Sequence, residues 1–419
     1  MARDKVINVT AFDTEIGKLG YDLDKGRSVF QYHPDFLDSG QYSKLFPFIF
    51  KRTKTVQVFK EYQGITFQGL PPMIADSLPD TFGNIIFQEW LDARGVKKIT
   101  PLEQLAYVAD RGMGALEYKP IKELPKSSQI DFDEVINILK NVLKLKEDTK
   151  GENLSELALL NVFKIGTSAG GARPKILISE HKETGEIIAG DRVINKEYNH
   201  YLVKLHLDDS DGYNREVVEY AYYLLAKEAG IEMMPSKLIE NKHFATLRYD
   251  RQNGEKQHVL TVTGLTGWDF KSNPENSSYE NVFKVALSLG VPHKDIQQLF
   301  RRMVFNIIFR NVDDHLKNHS FIYEKSTDSW RLGPAYDLTY ALNPLINFKA
   351  TSRALSINRK RTEITMKDIQ AVAEEFAIKN PKGIVEEIQE LIPKWMGIPD
   401  NLGVPQHISK RISEDLIRL

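Results

Sequence analysis

The chain has 419 residues, 42% of them hydrophobic and 27% charged, so it can bury a sizeable core and form two or three subdomains. Its formal net charge of −1 argues against a surface that coats nucleic acid, and the absence of cysteine excludes disulfides and thiolate metal sites. No apolar run at the start resembles a signal peptide, and none elsewhere is long enough to cross a bilayer. We therefore expect a cytoplasmic protein that makes no membrane contact.

Residues 1–120 predict a small α+β unit. Short strand-like runs at 6–11 and 55–59 alternate with glycine and proline, and helices are predicted at 81–93 and 101–109. Residues 119–130 contain two prolines and several polar side chains, which is typical of a connector. The first domain is therefore expected to end near residue 120.

The remainder predicts two further units, at 131–262 and 263–419. The first should contain a helix at 132–146, strands at 175–179, 200–207 and 244–246, and a helix at 216–229. The second is mostly helical, and its predicted helices include 281–289, 295–310, 366–376 and 383–395. Strands followed by helices favour an α+β protein with two lobes after the first domain.

The most informative segment is NVDDHLKN at 311–318, which PAYD follows at 334–337. Protein kinases place a catalytic base and two magnesium ligands in the order in which Asp313, Asn318 and Asp337 occur here. Aspartate and asparagine also form ordinary turns, but the apolar stripe of the helix at 295–310 favours a loop delivered to a site. The pattern predicts phosphoryl transfer with Asp313 as base.

The same segment permits a second interpretation, a zinc site. His315 and His319 are four residues apart, as zinc ligands on one helical face would be. The zinc-protease pattern, however, needs a glutamate directly after the first histidine, where this chain has Leu316. The kinase interpretation is therefore favoured.

A kinase also needs a phosphate cradle and a lysine upstream. The segment GTSAGGARPK at 166–175 has small residues that let backbone amides approach phosphates, although a flexible turn would have the same composition. Lys204 is the single lysine of a strand-like run, either an edge-strand charge or the ammonium that neutralises phosphates. Glu219 on the following helix is the expected ion-pair partner of Lys204.

With these pieces in place, the chain resembles the HipA family of serine/threonine kinases, the toxin members of bacterial toxin–antitoxin pairs. The resemblance runs through nearly the whole chain, from GLPP at 69–72 and LPD at 78–80 to the segments 168–175, 311–318 and 335–337. It implies an α+β, protein-kinase-like two-lobed fold with a small strand-bearing N-terminal lobe and a mostly helical C-terminal lobe.

The resemblance also implies ATP and Mg²⁺ as cofactors. Asp313 corresponds to the catalytic base and acts with Lys204, and Asn318 and Asp337 correspond to the magnesium ligands. Leu247, Arg248 and Tyr249 lie where the family's hinge meets adenine through its backbone. The implied nucleotide-binding residues are Gly170, Gly171, Ala172, Arg173, Pro174, Lys175, Lys204, Leu247, Arg248, Tyr249, His315, Leu316, Lys317, Asn318, Tyr336 and Asp337.

HipA kinases phosphorylate a serine in their own nucleotide-binding loop, and Ser168, or the neighbouring Thr167, corresponds to it. A phosphate would add about −1.5 to −2 of charge and should expel the loop from a site that binds phosphates. A plain turn-capping hydroxyl is the alternative. Arg173 and Pro174 differ from the residues of the founding family members, and Pro174 removes an amide donor. The resemblance therefore identifies the loop but does not define its conformation.

The implied partners are a HipB-like antitoxin, a protein substrate such as an aminoacyl-tRNA synthetase, and DNA only indirectly through the antitoxin complex. The basic run at 359–361 either contacts DNA phosphates or is a solvated turn. Two other functions stay open, a catalytically weak ATP-binding co-repressor and a small-molecule phosphotransferase.

Overall fold

The structure is a computed structural model that describes residues 6–79, 87–88, 91–92, 95–96, 99–121, 135–137, 174–190, 195–207, 212–269, 271–272, 274–344 and 351–419. Most of the predicted helix at 132–146, most of the predicted helix at 81–93 and most of the connector lie outside these residues, and the described residues 135–137 are helical. So does the loop segment 166–173.

The N-terminal unit is built on a five-stranded antiparallel sheet of order β4-β3-β2-β1-β5. The predicted strand at 6–11 is confirmed, whereas the one at 55–59 begins two residues late. Alternate residues of the sheet point into an aromatic core that includes Phe30 and Phe50. Its strands are β1 (Val6–Ala11), β2 (Thr14–Asp22), β3 (Arg27–Tyr32), β4 (Gln57–Phe59) and β5 (Glu117–Lys119).

The described residues of this unit also form four helices of four residues or more, and the longest confirms the prediction at 101–109. It starts at a capping box in which Thr100 and Glu103 satisfy each other's backbone amides, with Pro101 at the first helical position. The helices are α1 (Pro34–Ser39), α2 (Gly64–Phe67), α3 (Pro72–Ala75) and α4 (Pro101–Val108).

A second five-stranded antiparallel sheet, of order β7-β6-β8-β10-β9, forms the small lobe. Helix α5 (Arg215–Glu228) packs on it, and Asn214 caps the start of the helix by accepting from the Val217 amide. The strands are β6 (Lys175–His181), β7 (Ile187–Ala189), β8 (Tyr198–Lys204), β9 (Ser236–Ile239) and β10 (His243–Leu247). A short two-stranded antiparallel ribbon follows, formed by β11 (Arg251–Gln252) and β12 (Glu255–Lys256).

The C-terminal lobe is mostly helical but contains a three-stranded antiparallel sheet, β13 (His258–Thr261), β14 (Ser320–Glu324) and β15 (Ser329–Leu332). The division predicted at residue 262 therefore falls between β13 and the strand with which it pairs. The helices are α6 (Val262–Thr266), α7 (Tyr279–Ser288), α8 (His293–Ile308), α9 (Met366–Glu375), α10 (Pro381–Gln389), α11 (Gly397–Asn401) and α12 (Gln406–Asp415).

Helix α8 ends just before the segment at 311–318, the predicted catalytic loop. The apolar stripe that predicted this helix is buried throughout, namely Ile296, Leu299, Phe300, Met303, Val304, Ile307 and Ile308. The single predicted helix at 383–395 is wrong, because α10 ends at Gln389 and a separate 3₁₀ turn covers Ile392–Lys394. Pro393 lacks the amide hydrogen that would continue the helix.

The N-terminal unit packs against the three-stranded sheet of the C-terminal lobe. The Trp330 indole donates to the Lys44 carbonyl over 2.8 Å, and the Lys44 amide donates to the Asp328 carboxylate over 3.0 Å. Asp76 accepts from both the amide and the hydroxyl of Thr261, at 2.8 and 2.9 Å. Within the described ranges, no helix combines the length and hydrophobicity that crossing a bilayer requires.

Candidate nucleotide and catalytic site

The candidate site lies where the small-lobe sheet faces the catalytic loop, and a buried lysine connects the two. Lys204, the last residue of β8, is 2.5 Å from the Glu219 carboxylate of α5 and also contacts Asp337. The ion pair predicted between Lys204 and Glu219 is thus present. Burial alone would lower the pKa of Lys204, but these two carboxylates raise it above its usual value, so the ammonium stays charged.

A second buried lysine lies beside the first. Lys175 is directly opposite Lys204 across the antiparallel pair β6 and β8, and both side chains are about 95% inaccessible to solvent, with exposed fractions of 5% and 6%. Two ammonium groups on one face of a sheet repel, and burial increases the cost. The opposing charges of Glu219 and Asp337, which interact with both lysines, offset it. The arrangement concentrates positive charge at one end of the sheet.

Asp337 faces these lysines in a left-handed backbone conformation, with φ 59°. Few residues other than glycine adopt this conformation, and aspartate is among those that tolerate it best. Burial would raise the pKa of Asp337, but Lys204 and Lys175 hold it below its usual range. The Asn311 amide group donates to the Asp337 carbonyl over 3.2 Å and fixes the turn.

Asp313 and Asn318 are held together in one loop. The Asn318 side-chain nitrogen and the His315 amide both donate to the Asp313 carbonyl, each over 2.9 Å. The Asn318 side-chain oxygen has no protein donor among the described residues, so the atom that a metal would use is open. Residues Leu316–Asn318 form a 3₁₀ turn, so Asn318 is the last residue of that turn.

The Asp313 carboxylate is exposed to solvent on one side. Desolvation by the protein on its other side, together with the negative charges of Asp337 and Asp314, raises its pKa to about 6. A carboxylate with such a pKa accepts a proton more readily than an ordinary surface aspartate while remaining largely ionised at neutral pH.

A buried network that the sequence analysis did not identify supports this loop. Asp314 is fully buried and accepts from Arg353 and from the Tyr279 hydroxyl, both over 2.6 Å. Asn306 on α8 donates to the same hydroxyl over 3.0 Å and accepts from Asn311 over 3.1 Å. The doubled aspartate at 313–314 was the one sequence signal that could have indicated a second, structural carboxylate.

The hinge segment follows β10. The Leu247 amide donates to the Pro235 carbonyl over 2.9 Å and the Arg248 amide to the His200 carbonyl over 2.8 Å. The Tyr249 amide has no acceptor among the described residues, so it is the hinge amide left for a ligand. The Tyr249 ring stacks on Tyr336, with 6.0 Å between ring centroids, and so connects the hinge to the residue before Asp337.

The side chains of several predicted nucleotide-binding residues are not positioned to line a nucleotide site. The Leu316 side chain is fully buried in the core, and the Arg248 guanidinium binds Asp250, so both offer a ligand only their backbone. Tyr336 is half-buried, and its hydroxyl donates to the Lys317 carbonyl over 2.6 Å. Pro174 and Lys175 are described, whereas Gly170, Gly171, Ala172 and Arg173 and the predicted phosphorylation residues Thr167 and Ser168 lie outside the described residues.

The zinc interpretation is not supported by the positions of the two histidines. His315 and His319 lie at opposite ends of a 3₁₀ turn, and His319 packs edge-on against Tyr279, with 5.5 Å between ring centroids. Burial lowers the pKa of His315 to about 4 and that of His319 to about 3. In the part of the chain that the structure describes, no group of three or more histidine or acidic side chains could hold a metal.

The donor set does fit a magnesium ion that is shared with phosphates. Asp337 supplies carboxylate oxygen and Asn318 an open amide oxygen, which are the hard ligands that magnesium prefers. Two protein oxygens leave several positions of the octahedron for water and phosphate, as at kinase sites.

The basic run at 359–361 is partly used inside the protein. Lys360 binds Asp368 over 2.9 Å, and the Arg361 guanidinium donates to the carbonyls of Ala354, Pro274 and Ser277. The Lys360 contact joins the segment to α9, and the Arg361 contacts join it to backbone carbonyls outside that helix. Both weaken the prediction that the run contacts DNA.

A two-lobed arrangement, with a lysine–glutamate pair on sheet and helix facing a loop with aspartate and asparagine, defines a kinase-like fold. Two family models match the chain, HipA N-terminal domain over residues 7–119 and HipA-like C-terminal domain over residues 167–396. The second covers more than half of the chain. The chain belongs to the HipA family.

A solved structure has a similar fold, and two curated proteins are similar to this chain over part of their length. A chain of the HipA, HipB and operator DNA complex from the Shewanella oneidensis MR-1 toxin–antitoxin system superposes with a TM-score of 0.65 at 16% identity, covering 97% of this chain and 96% of that one. A putative kinase of Haemophilus influenzae is 29% identical over 135 residues, and putative kinase Y4dM of Sinorhizobium fredii is 24% identical over 215 residues. The matches cover 28% and 47% of this chain and span 39% and 51% of those relatives.

Proposed function

We propose that the protein is an ATP- and Mg²⁺-dependent kinase that transfers the γ-phosphoryl group to a serine or threonine of a protein. The observation that carries the proposal is the convergence of Lys204, Glu219 and Asp337, with Asp313 and Asn318 on the facing loop. These residues come from a strand, a helix and two loops far apart in sequence. A purely structural ion pair would not require the open amide oxygen of Asn318 or an aspartate whose pKa is about 6.

Each side chain has a part in the transfer that follows from its position. The ammonium groups of Lys204 and Lys175 bind phosphate oxygens, and Glu219 orients Lys204. Asn318 and Asp337 would hold the magnesium ion, which supplies charge neutralisation at the phosphates when bound. The open amide of Tyr249 is the donor for the adenine edge.

Asp313 acts on the acceptor. Its carboxylate takes the proton of the acceptor hydroxyl as the hydroxyl oxygen attacks the γ-phosphorus, and the bond from that phosphorus to the bridging oxygen breaks to release ADP. The pKa of about 6 leaves Asp313 ionised and ready to accept this proton at neutral pH.

The acceptor, the partner and the regulation follow from the family as part of the same proposal. A solved relative comes from a complex of HipA with HipB and operator DNA, which supports a HipB-like antitoxin as partner of this chain and DNA contact only through that complex. An aminoacyl-tRNA synthetase is a candidate substrate. Ser168, with Thr167 as the alternative, is the proposed site of autophosphorylation, and the modified loop would leave the site because its charge repels phosphates.

The test is the intact mass of the protein after incubation with ATP and Mg²⁺. We expect the mass to increase by one phosphoryl group, located by peptide mapping at Ser168 or Thr167, and the increase to disappear in Asp313→Asn. A wild-type protein that binds ATP but never gains mass, and that phosphorylates neither a protein nor a free metabolite, would instead be a nucleotide-binding co-repressor.

A further inference from the structure

We propose that Asp250 is a positioning residue through which the N-terminal unit sets the geometry of the hinge and thereby the affinity for nucleotide. The inference deepens the proposed function, since it concerns the same nucleotide site. It concerns a buried carboxylate directly after the hinge segment, to which the sequence analysis assigned nothing.

Asp250 is fully buried, and its carboxylate accepts hydrogen bonds from two guanidinium groups and one backbone amide. The Arg248 guanidinium donates to both carboxylate oxygens, over 2.9 and 2.7 Å, and Arg251 donates over 2.8 Å. The Gly114 amide of the N-terminal unit donates to the same carboxylate over 2.9 Å. Burial would raise the pKa of Asp250, but the two guanidinium groups hold it well below its usual range, so the carboxylate is ionised.

Arg251 extends this contact deeper into the N-terminal unit. Its guanidinium donates to the carbonyls of Gly112, over 2.8 Å, and Gly114, over 3.0 Å. Lys256, on the paired strand of the ribbon, donates to the Glu117 carboxylate over 2.6 Å. The loop that leads into β5 is therefore held by the segment that directly follows the hinge.

Gly114 permits an approach that no other residue would. Its φ is 81°, and a Cβ atom there would lie 3.2 Å from both the amide nitrogen and the carbonyl oxygen of Val259. A side chain would be strained in this backbone conformation and would push the loop away from β13. The close contact of the N-terminal loop with the hinge region thus depends on glycine at this position.

Asp250 is connected to the proposed nucleotide site through its neighbours in the chain and their packing contacts. Asp250 is next to Tyr249, whose ring stacks on Tyr336 beside Asp337. It also fixes the side chain of Arg248, whose backbone amide continues the ladder to β8, the strand of Lys204. Displacing the N-terminal loop should therefore loosen the hinge at the residues that would meet adenine.

The experiment compares Asp250→Asn with Asp295→Asn, a matched control. Asp295 is also buried, accepts from both Arg331 Nε and Nη2, over 2.7 and 3.0 Å, and accepts from one backbone amide, that of Leu332, over 2.9 Å. It lies in the C-terminal lobe away from the hinge, so its loss should reproduce the general destabilisation without the change at the hinge. Gly114→Ala disturbs the same contact from the side of the N-terminal unit.

Two readouts are needed, the Kd for ATP with Mg²⁺ by titration calorimetry and amide hydrogen exchange of the free protein. We expect Asp250→Asn and Gly114→Ala to raise the Kd about tenfold and to accelerate exchange of the Leu247 and Arg248 amides about tenfold. Asp295→Asn should change neither.

The two proposals fail in different ways. Wild-type protein without measurable ATP affinity would contradict the proposed function, while the exchange data would still decide whether Asp250 and Gly114 fix the hinge. If folded Asp250→Asn and Gly114→Ala retain wild-type exchange at Leu247 and Arg248, the inference is overturned. It is equally overturned if Asp295→Asn shifts the Kd and the exchange as much as they do.

Discussion

The predicted hinge and the predicted catalytic loop are each held by a buried aspartate that binds arginine. The two aspartates differ in which parts of the molecule they connect. At the hinge, Asp250 joins two arginines to the backbone of the N-terminal unit. At the catalytic loop, Asp314 binds Arg353 and Tyr279, and the network stays within the C-terminal lobe. Under the proposed function, we therefore expect changes in the N-terminal unit to alter the affinity for nucleotide but not the position of Asp313 and Asn318.

The two carboxylates also differ in charge balance. Two guanidinium groups hold the pKa of Asp250 below its usual range, whereas burial raises the pKa of Asp314 although Arg353 opposes the shift. A buried aspartate with a single cation is the more fragile arrangement, because removal of that cation leaves the charge without compensation. We expect the catalytic loop to be the region that loses structure more readily when one arginine is removed.

Asp313→Asn should have the largest effect and should separate the two regions most clearly. We expect kcat to fall by about 10²–10⁴, because the amide does not accept the hydroxyl proton. The Kd for ATP should stay within about twofold of wild type, since the hinge and Lys204 are untouched. Steady-state kinetics and calorimetric titration check the two numbers. An Asp313→Asn protein that keeps its kcat would remove Asp313 as the base.

Arg353→Ala tests the support of the catalytic loop. It should lower the free energy of unfolding by about 3–5 kcal/mol, because Asp314 is left buried and unpaired by a cation. Urea unfolding measures this loss. Lys394→Ala removes an exposed ion pair with Glu228 and should cost no more than about 1 kcal/mol. Equal losses in the two variants would mean that the buried pair does not stabilise the loop.

His258→Leu tests the packing between the N-terminal unit and the C-terminal lobe through pH. His258 lies among the rings of Phe46, Tyr323 and Trp330, and burial lowers its pKa to about 3. The unfolded chain binds this proton near pH 6.5, so the stability contributed by neutral His258 is complete above that pH and is lost as the pH falls towards 3.

At pH 5 the contribution of His258 to acid destabilisation is about 2 kcal/mol. Urea unfolding at pH 7.5 and pH 5 should therefore show a smaller pH-dependent loss in His258→Leu than in wild type, by that amount. The double difference removes the other histidines, whose titration is common to both proteins. An unchanged difference between the two pH values would show that His258 charges freely in the folded state.

Much of the site could be predicted because its signals are local. The apolar stripe of α8 predicted a helix that ends at the predicted catalytic loop, and every residue of that stripe is buried. The ion pair between Lys204 and Glu219 could be predicted because the strand and the helix that carry them are consecutive in the chain and pack together. The family itself was predicted from short segments and is confirmed by models that match both parts of the chain.

Other features were not predictable because they depend on residues that meet only after folding. Asp314 and Arg353 are 39 positions apart and Gly114 and Asp250 are 136 apart, so no local period relates them. The burial of Leu316 in a segment expected to line the nucleotide follows from the 3₁₀ turn, which points that side chain to the core. Pro393 did carry a local signal, a break in the helix at 383–395, and it was overlooked.

The amino-acid sequence by itself determined the family, the kinase-like order of lysine, glutamate, aspartate and asparagine, helices α4, α5, α7, α8 and α9, and strands β1, β6, β8 and β10, because each depends on neighbours along the chain. Only the tertiary structure decided which buried aspartates hold the hinge and the catalytic loop. Those contacts join separate elements, and a carboxylate pairs with whichever donors the packing of the core brings within hydrogen-bonding distance.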